Sequence, residues 1–145
     1  FSNVRYQPFL TALVGEGVGV ALAAGVKLEN FRYFEPLKLR PHTPAEETEA
    51  RAVLNHFADA TRNDIKVRSG PWRDLAVRKR PTEVDYMTGW VIDEGRRRGI
   101  AMPLNEALVR QVKELEKGTR QRGLHNLDEL EALRAELYTS SMGPH

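Results

Sequence analysis

The sequence predicts an all-α domain of about five or six helices, packed as a bundle or an orthogonal array. Apolar residues recur at helical spacing along most of the chain, and Pro, Gly and capping residues separate these segments. No segment alternates apolar and polar residues over several positions, as a half-buried strand would. A chain of 145 residues also fits one domain with its own apolar core.

The first predicted helix runs from about Tyr6 to Ala24, and Gly25 is its C-terminal stop. The residues predicted to share its inward face are Leu10, Leu13, Val14, Gly17 and Ala21. Its glycines resemble a dinucleotide-binding loop in composition only, because they lie inside one continuous helical pattern. We therefore expect Gly15 and Gly19 to let another helix pack closely, and the chain to have no cofactor-binding domain of its own.

A second helix is predicted to begin at a capping box. Pro36 and Pro41 break the pattern before it, which indicates a loop or a short extended piece. Thr43 then precedes Pro at the first helical position, with Glu46 three residues further on. The inward residues predicted for this helix are Ala50, Val53, Leu54 and Phe57.

The middle of the chain predicts two helices separated by Pro81. Ser69 is expected to cap a short helix that contains Trp72. Thr82 is expected to cap the next helix, which runs from near Glu83 to Arg98 and ends at a glycine. The inward residues predicted for that helix are Val84, Met87 and Val91.

Two further helices complete the predicted domain. Pro103 begins one of them, and Asn126 opens a capping-box-like start for the last. Their predicted apolar faces consist of Leu104, Leu108, Val112 and Leu115, and of Leu130, Leu133 and Leu137. We expect residues 1–138 to form a single helical domain and residues 139–145 to form a flexible tail.

Glu83 is the residue whose surroundings in the sequence suggest chemistry. A carboxylate in the first turn of a helix is favoured by the helix dipole, so it needs no function to explain it. Glu83, Met87 and Trp90 are also predicted to share one face, which places an acid beside an apolar and aromatic wall. Such an acid can bind a ligand or transfer a proton. The residues alone do not decide between this functional role and a structural role at the start of the helix.

Several other functional classes find little support in the sequence. The chain has no cysteine, and the spacing of its four histidines gathers no ligands on one helix face, so we predict no metal site. No segment predicts a membrane span, and we expect no basic and apolar leader in this chain. Because the first residue is not Met, we expect the chain to begin inside a larger protein or after a cleavage.

A basic cluster surrounds Trp72, formed by Arg73 and the run Arg78 to Arg80. A nucleic-acid surface is one interpretation of it, and attraction of an anionic small molecule toward Glu83 is another. A net charge of only +2 argues against nucleic acid. We therefore favour a solvated helix face next to a buried tryptophan.

The central segment from Ser69 to Glu116 resembles the C-terminal helical domain of ketopantoate reductases (2-dehydropantoate 2-reductases). The matching residues are Ser69, Asp74, Arg80, Thr82-Glu83-Val84-Asp85, Gly89, Gly99-Ile100, Pro103 and Asn105. Upstream, Glu16 with Val20-Ala21 and Gly25-Val26 is similar to an earlier helix of that domain. The resemblance implies a fold like the C-terminal domain of 6-phosphogluconate dehydrogenase.

For function, the resemblance implies a cytoplasmic, NADPH-dependent oxidoreductase of pantothenate biosynthesis, which reduces a 2-oxo acid and often forms a homodimer. In such a protein Glu83 matches the glutamate that grips the substrate hydroxyl, and Ser69 matches, with a longer spacing, a serine that contacts the substrate carboxylate. The nucleotide-binding Rossmann domain and the catalytic lysine would precede Phe1. No catalytic residue is therefore expected in this chain, no cofactor is expected to bind it alone, and we expect it to be inactive alone.

One rival hypothesis belongs to a different class of protein. A stand-alone helical dimerisation domain would use Glu83 only to begin a helix. It predicts a stable dimer with no cleft near Glu83, and a melting temperature that does not respond to 2-oxo acids.

Overall fold

The computed structural model describes residues 3–62 and 70–141. These residues form six α-helices: Gln7–Ala23 (α1), Pro44–Thr61 (α2), Gly70–Arg73 (α3), Trp90–Arg97 (α4), Pro103–Glu116 (α5) and His125–Ser141 (α6). Short 3₁₀ segments lie at Val4–Tyr6 and Pro36–Leu39, and π-helical turns lie at Asp74–Arg78 and Asp85–Gly89. Within these ranges, an isolated antiparallel β-bridge pairs Phe31 with Phe34. The predicted all-α class is confirmed.

The boundaries of several helices follow their predicted signals. Gly25 and Gly99 adopt positive φ angles of 74° and 68° directly after α1 and α4. The Thr43 hydroxyl accepts a hydrogen bond from the Glu46 N–H at 3.3 Å, and the Glu46 carboxylate accepts one from the Thr43 N–H at 3.2 Å. At the other end of the chain, α6 continues through Ser141, so residues 139–141 of the predicted tail are helical.

Helix α1 lies at the centre of the domain and contacts α2, α4, α5 and α6. The five residues predicted for its inward face are only half-buried, although Leu10, Leu13 and Val14 do pack against the core. The fully buried residues of α1 are Gln7, Phe9, Thr11, Gly15, Val18, Gly19 and Val20. A helix that is apolar on nearly every side gives no periodic signal for the side that packs most closely.

Three apolar clusters form the core around α1. The first joins α1, α5 and α6 through Phe9, Leu104, Ala107 and Leu130. The second joins α2 to the Pro36–Leu39 segment through Leu39, Ala50, Val53 and Leu54. The third joins α1 to α4 and the start of α5 through Val20, Ile92 and Met102. The first and third clusters thus include buried residues of α1, and Leu10 and Val14 of α1 pack against the second.

Gly15 and Gly19 permit a close approach to α1, but the approaching element is not a helix as predicted. A Cβ atom at Gly15 would lie 3.0 Å from the carbonyl oxygen of Leu39. A Cβ atom at Gly19 would lie 3.5 Å from the guanidinium carbon of Arg40. Because these glycines have no side chain, Leu39 and Arg40 can pack closely against α1.

The carboxylate of Glu16 caps the N-terminus of α5 from a different helix. Its two oxygens accept hydrogen bonds from the N–H groups of Leu104 and Asn105, each at 3.0 Å. The Asn105 side-chain amide donates to the same carboxylate at 2.8 Å and to the Leu13 carbonyl at 2.9 Å. Since Met102 provides no side-chain cap, Glu16 satisfies donors that the start of α5 would otherwise leave unpaired.

The helix predicted from Glu83 to Arg98 is interrupted in its first half. Residues Asp85–Gly89 form a π-helical turn, and the regular helix α4 begins only at Trp90. Because a π turn holds more residues than an α turn, it rotates the side chains away from a regular 3.6-residue register. Val84 is buried as predicted, but Met87 is 60% exposed, so its predicted inward position is wrong.

We predict that Glu16→Ala lowers the free energy of unfolding by about 2–4 kcal/mol, because it removes the acceptor of three charge-assisted hydrogen bonds. Urea unfolding followed by circular dichroism measures this change. Glu106→Ala is the matched control, since Glu106 lies in the first turn of α5 and pairs with the exposed Arg96. A loss for Glu16→Ala no larger than that of the control would contradict the capping role.

Two glycine substitutions are predicted to change stability in opposite directions. Gly17→Ala should raise the free energy of unfolding by about 0.5–1 kcal/mol, since a Cβ there meets no atom within 4 Å and alanine favours a helix. Gly95→Ala should lower it by about 1–3 kcal/mol, because its Cβ would lie 3.0 Å from the Met102 sulfur and 3.1 Å from the Ile100 carbonyl oxygen. Thermal unfolding of the two variants distinguishes them, and a shift of the same sign in both would contradict the packing.

Candidate functional site

Glu83 lies on a solvent-facing turn directly before the Asp85–Gly89 π turn. Its backbone carbonyl accepts hydrogen bonds from the N–H groups of Tyr86 at 3.1 Å and Met87 at 3.0 Å. Its side chain is exposed, and within residues 3–62 and 70–141 its carboxylate has no hydrogen-bond or ion-pair partner. A carboxylate in this position is available to a ligand.

The residue before Glu83 is fixed from both sides. Thr82 is buried, and its N–H and its hydroxyl both donate to one oxygen of the Glu116 carboxylate at 2.7 Å. The Thr82 hydroxyl oxygen also accepts a hydrogen bond from the Val84 N–H at 3.3 Å. The predicted helix cap at Thr82 is therefore present, and its hydroxyl ties the turn to the end of α5.

The residues after Glu83 are tied to the same helix. The Lys113 ammonium group lies 2.6 Å from the Asp85 carboxylate and 2.9 Å from the second oxygen of Glu116. The hydrogen bond to Asp85 makes the largest contribution to raising the pKa of Lys113 above its ordinary value, and the hydrogen bond to Glu116 raises it further. Burial raises the pKa of Glu116, but hydrogen bonds from Lys113 and Thr82 outweigh it and leave that pKa lowered. We call Thr82, Asp85, Lys113 and Glu116 the α5 clamp.

The α5 clamp includes two residues that the sequence did not single out. Lys113 and Glu116 lie about thirty residues after the Thr-Glu-Val-Asp motif, and their contacts with it depend on how α5 packs. Their spacing of three residues on α5 was the available signal, since it places an ammonium and a carboxylate side by side. That spacing predicts an ion pair, but it does not identify what the pair holds.

The basic cluster near Trp72 is partly an internal ion-pair network. Asp74 is buried, and its carboxylate accepts hydrogen bonds from Arg80 at 2.9 Å and Arg78 at 3.0 Å. The Arg80 hydrogen bond contributes most to lowering the pKa of Asp74, and Arg78 adds to the effect. Trp72 is 37% exposed, so the prediction of a buried tryptophan is wrong. Two of the cations thus stabilise a turn of the chain.

The other predicted contact, Ser69, lies outside the described residues. Met87 and Trp90 do line an apolar groove of about 750 Å³, but Glu83 is not among the residues that line it. The predicted acid is therefore not part of the groove that Met87 and Trp90 line.

The glycine run of α1 does not fit a nucleotide phosphate. Gly15 and Gly19 lie in the middle of the helix, and the backbone of Leu39 and the Arg40 side chain cover them. A phosphate needs free N–H groups at the start of a helix, and this position offers none. No group of three or more acidic, His or Cys side chains in residues 3–62 and 70–141 is placed to hold a metal ion. Over the same ranges, no helix combines the length and the apolar character that a membrane crossing requires.

Comparison with known proteins gives a consistent result. A segment of 39 residues is 51% identical to a 2-dehydropantoate 2-reductase of Vibrio cholerae serotype O1 (strain ATCC 39315 / El Tor Inaba N16961), and it covers 27% of this chain and 13% of that protein. No solved structure gives a significant match. The sequence model described as ketopantoate reductase PanE/ApbA C terminal matches residues 1–116, which is most of the chain. The chain therefore belongs to the ketopantoate reductase PanE/ApbA C-terminal family.

Proposed function

We propose that this chain is the substrate-binding part of an NADPH-dependent reductase that converts a 2-oxo acid such as ketopantoate into the 2-hydroxy acid. In this proposal Glu83 accepts a hydrogen bond from the hydroxyl group of the substrate. The observation that carries it is a ligand-accessible carboxylate on a turn that the α5 clamp holds on both sides. A group held in this way needs little reorganisation when a ligand arrives, which favours binding and catalysis.

The covered glycines of α1 do not fit a nucleotide phosphate, so in this proposal NADPH would bind to another domain. That domain would also supply the group that protonates the substrate oxygen, since Glu83 is proposed as a substrate-binding residue and no catalytic residue is proposed in this chain. Ser69 would donate a hydrogen bond to the substrate carboxylate. A cytoplasmic location and a homodimer complete the proposal by resemblance to the family.

The second candidate function is a helical interaction domain without catalysis. The exposure of Met87 and Trp90, at 60% and 61%, favours it, because apolar side chains grouped on a surface mark interaction sites. The two functions differ in the role of Glu83, which contacts substrate in the first and only begins a helical turn in the second.

We predict that Glu83→Gln lowers kcat/KM by about 100-fold in a protein that joins this chain to a Rossmann domain, because an amide replaces the charged acceptor. The measurement is NADPH oxidation that depends on ketopantoate. Asp93→Asn is the matched control, since Asp93 is an exposed acid in the first turn of α4. Equal activity in Glu83→Gln, Asp93→Asn and the unmodified protein would remove Glu83 from the site and favour the interaction domain.

Lys113→Met is predicted to lower kcat/KM by about tenfold or more, because the Glu83 turn loses its tie to α5 and small displacements are costly. Lys117→Met, which removes an exposed lysine at the end of α5, should have little effect. Lys113→Arg should restore part of the activity, since it keeps the cation. A lower melting temperature of Lys113→Met with unchanged kcat/KM would show that the α5 clamp acts only on stability.

The same clamp predicts a pH dependence of stability. The raised pKa of Lys113 means that its contribution is complete below pH about 10 and is lost as the pH rises further. The lowered pKa of Glu116 means that its contribution is complete above pH about 4 and is lost as the pH falls through the folded-state pKa. Glu116→Gln should therefore lose less stability than the unmodified chain between about pH 5 and pH 2, which urea unfolding at several pH values measures.

A further inference from the structure

Positive charge is concentrated in two segments of this chain. Residues 70–80 contain four Lys or Arg residues and one Asp, and residues 117–125 contain three Lys or Arg residues and no acidic residue. Each segment therefore has a net charge of +3, and because the whole chain has +2, the rest of it carries 2 − 6, or −4. The small net charge of the chain thus results from strongly unequal regions, and a local excess is sufficient to attract a polyanion.

The structure brings the two basic segments together. A cavity of about 450 Å³ lies between them, and its lining residues are Trp72, Leu75, Leu115, Arg120, Gln121 and Arg122. These lining residues, all in the described part of the chain, include no carboxylate. Two residues beyond the first segment, Thr82 donates to Glu116, which comes just before the second. The two positively charged segments therefore adjoin on one part of the surface.

Most of these cations can accept an external anion as a partner. Within the described ranges, the exposed cations that have no carboxylate partner are Arg73, Lys79, Lys117 and Arg122. Arg78 and Arg80 each bind the buried Asp74 through one nitrogen, and their side chains are 45% and 58% exposed. Asp74 thus holds two guanidinium groups in place and leaves their other N–H groups for a phosphate oxygen.

The backbone at Lys79 gives a second indication of function. Its φ and ψ angles of 50° and 46° lie in the left-handed region, where glycine would be less strained than lysine. Strain of this kind concentrates at functional sites. The residue lies between the two arginines that bind Asp74, so the strained turn adds an exposed ammonium group to the same basic segment.

Trp72 adds an aromatic surface to the positive charge. It lines the cavity and is 37% exposed. A nucleic-acid base can stack on such a ring whatever its identity, while nearby cations pair with the backbone phosphates. Bases within a duplex are stacked on one another, so this combination fits a single strand better than a double helix. Because the cations extend over two segments, they also exceed what one free mononucleotide can neutralise.

We propose that the Trp72 cavity and the cations of residues 70–80 and 117–125 bind single-stranded nucleic acid. A base stacks on Trp72, Arg122 pairs with a phosphate beside the cavity, and the cations around Asp74 pair with further phosphates of the strand. The proposal is independent of the proposed reductase function, because Glu83 takes no part in it.

The test is the fluorescence anisotropy of a labelled thymidine oligonucleotide of about 15 residues, titrated with this chain at several salt concentrations. We expect a Kd of about 10⁻⁶–10⁻⁴ M near physiological salt, with tighter binding as the salt is lowered. The slope of log K against log salt should be about −2 to −3, because each neutralised phosphate of a single strand contributes about −0.7.

Two pairs of variants locate the site. Trp72→Leu should weaken binding by about fivefold or more, whereas Trp90→Leu, which removes an exposed tryptophan outside the cavity, should change it by less than about twofold. Arg122→Gln should weaken binding by about threefold or more and make the salt slope shallower by about 0.7. Arg51→Gln makes the same change at an exposed arginine of α2 that lines a different cavity, and it should alter neither quantity. Melting temperatures separate lost binding from lost folding, and Arg122→Gln remains informative if Trp72→Leu does not fold.

Three results would overturn the proposal. The first is no binding with about 100 μM chain at about 50 mM salt, where electrostatic binding is strong. The second is binding that neither Arg122→Gln nor a folded Trp72→Leu weakens, or that inorganic polyphosphate reproduces with no effect of Trp72→Leu, which would indicate a general polyanion surface. The third is binding of thymidine monophosphate as tight as that of the oligonucleotide, which would assign the cavity to a free nucleotide.

Discussion

The contact between the Glu16 carboxylate and the start of α5 is the interaction on which the rest of the structure depends. It joins the central helix to α5 through two backbone N–H groups and the Asn105 amide. A buried helix start without such a partner would leave polar groups unsatisfied. The free-energy cost of leaving them unsatisfied exceeds the net stabilisation that the hydrogen bonds contribute. The contact therefore fixes where α5 begins and how it lies against α1, and both apolar clusters that include α5 depend on that placement.

The last turn of α5 contacts the turn that holds Glu83. Because its first turn is held by Glu16, its last turn presents Lys113 and Glu116 at a defined place, where they contact Asp85 and Thr82. Glu83 stands between those two clamp residues in sequence and keeps an exposed carboxylate. Within the motif from Thr82 to Asp85, Asp85 is paired with Lys113, whereas the Glu83 carboxylate has no partner among the described residues.

Local signals in the sequence predicted much of the fold and less of the site. The capping box at Thr43, the glycine stops and the cap at Thr82 were all predictable, because each depends on residues close together in the chain. The buried side of α1 was not, since an apolar helix surrounded by several elements has no single face. The π turn at Asp85–Gly89 also escaped prediction, because its register arises from packing against α5, and it is the reason that Met87 faces outward.

The central claim is that Glu83 contacts the substrate while the α5 clamp holds its turn. The most direct test is a crystal structure of the longer reductase with NADP and a bound 2-oxo or 2-hydroxy acid. The account predicts a Glu83 carboxylate oxygen within about 2.6–3.2 Å of the substrate C2 oxygen, with the Thr82 to Glu116 hydrogen bonds preserved. A substrate bound with Glu83 still in solvent, more than about 5 Å from any of its polar atoms, would contradict it.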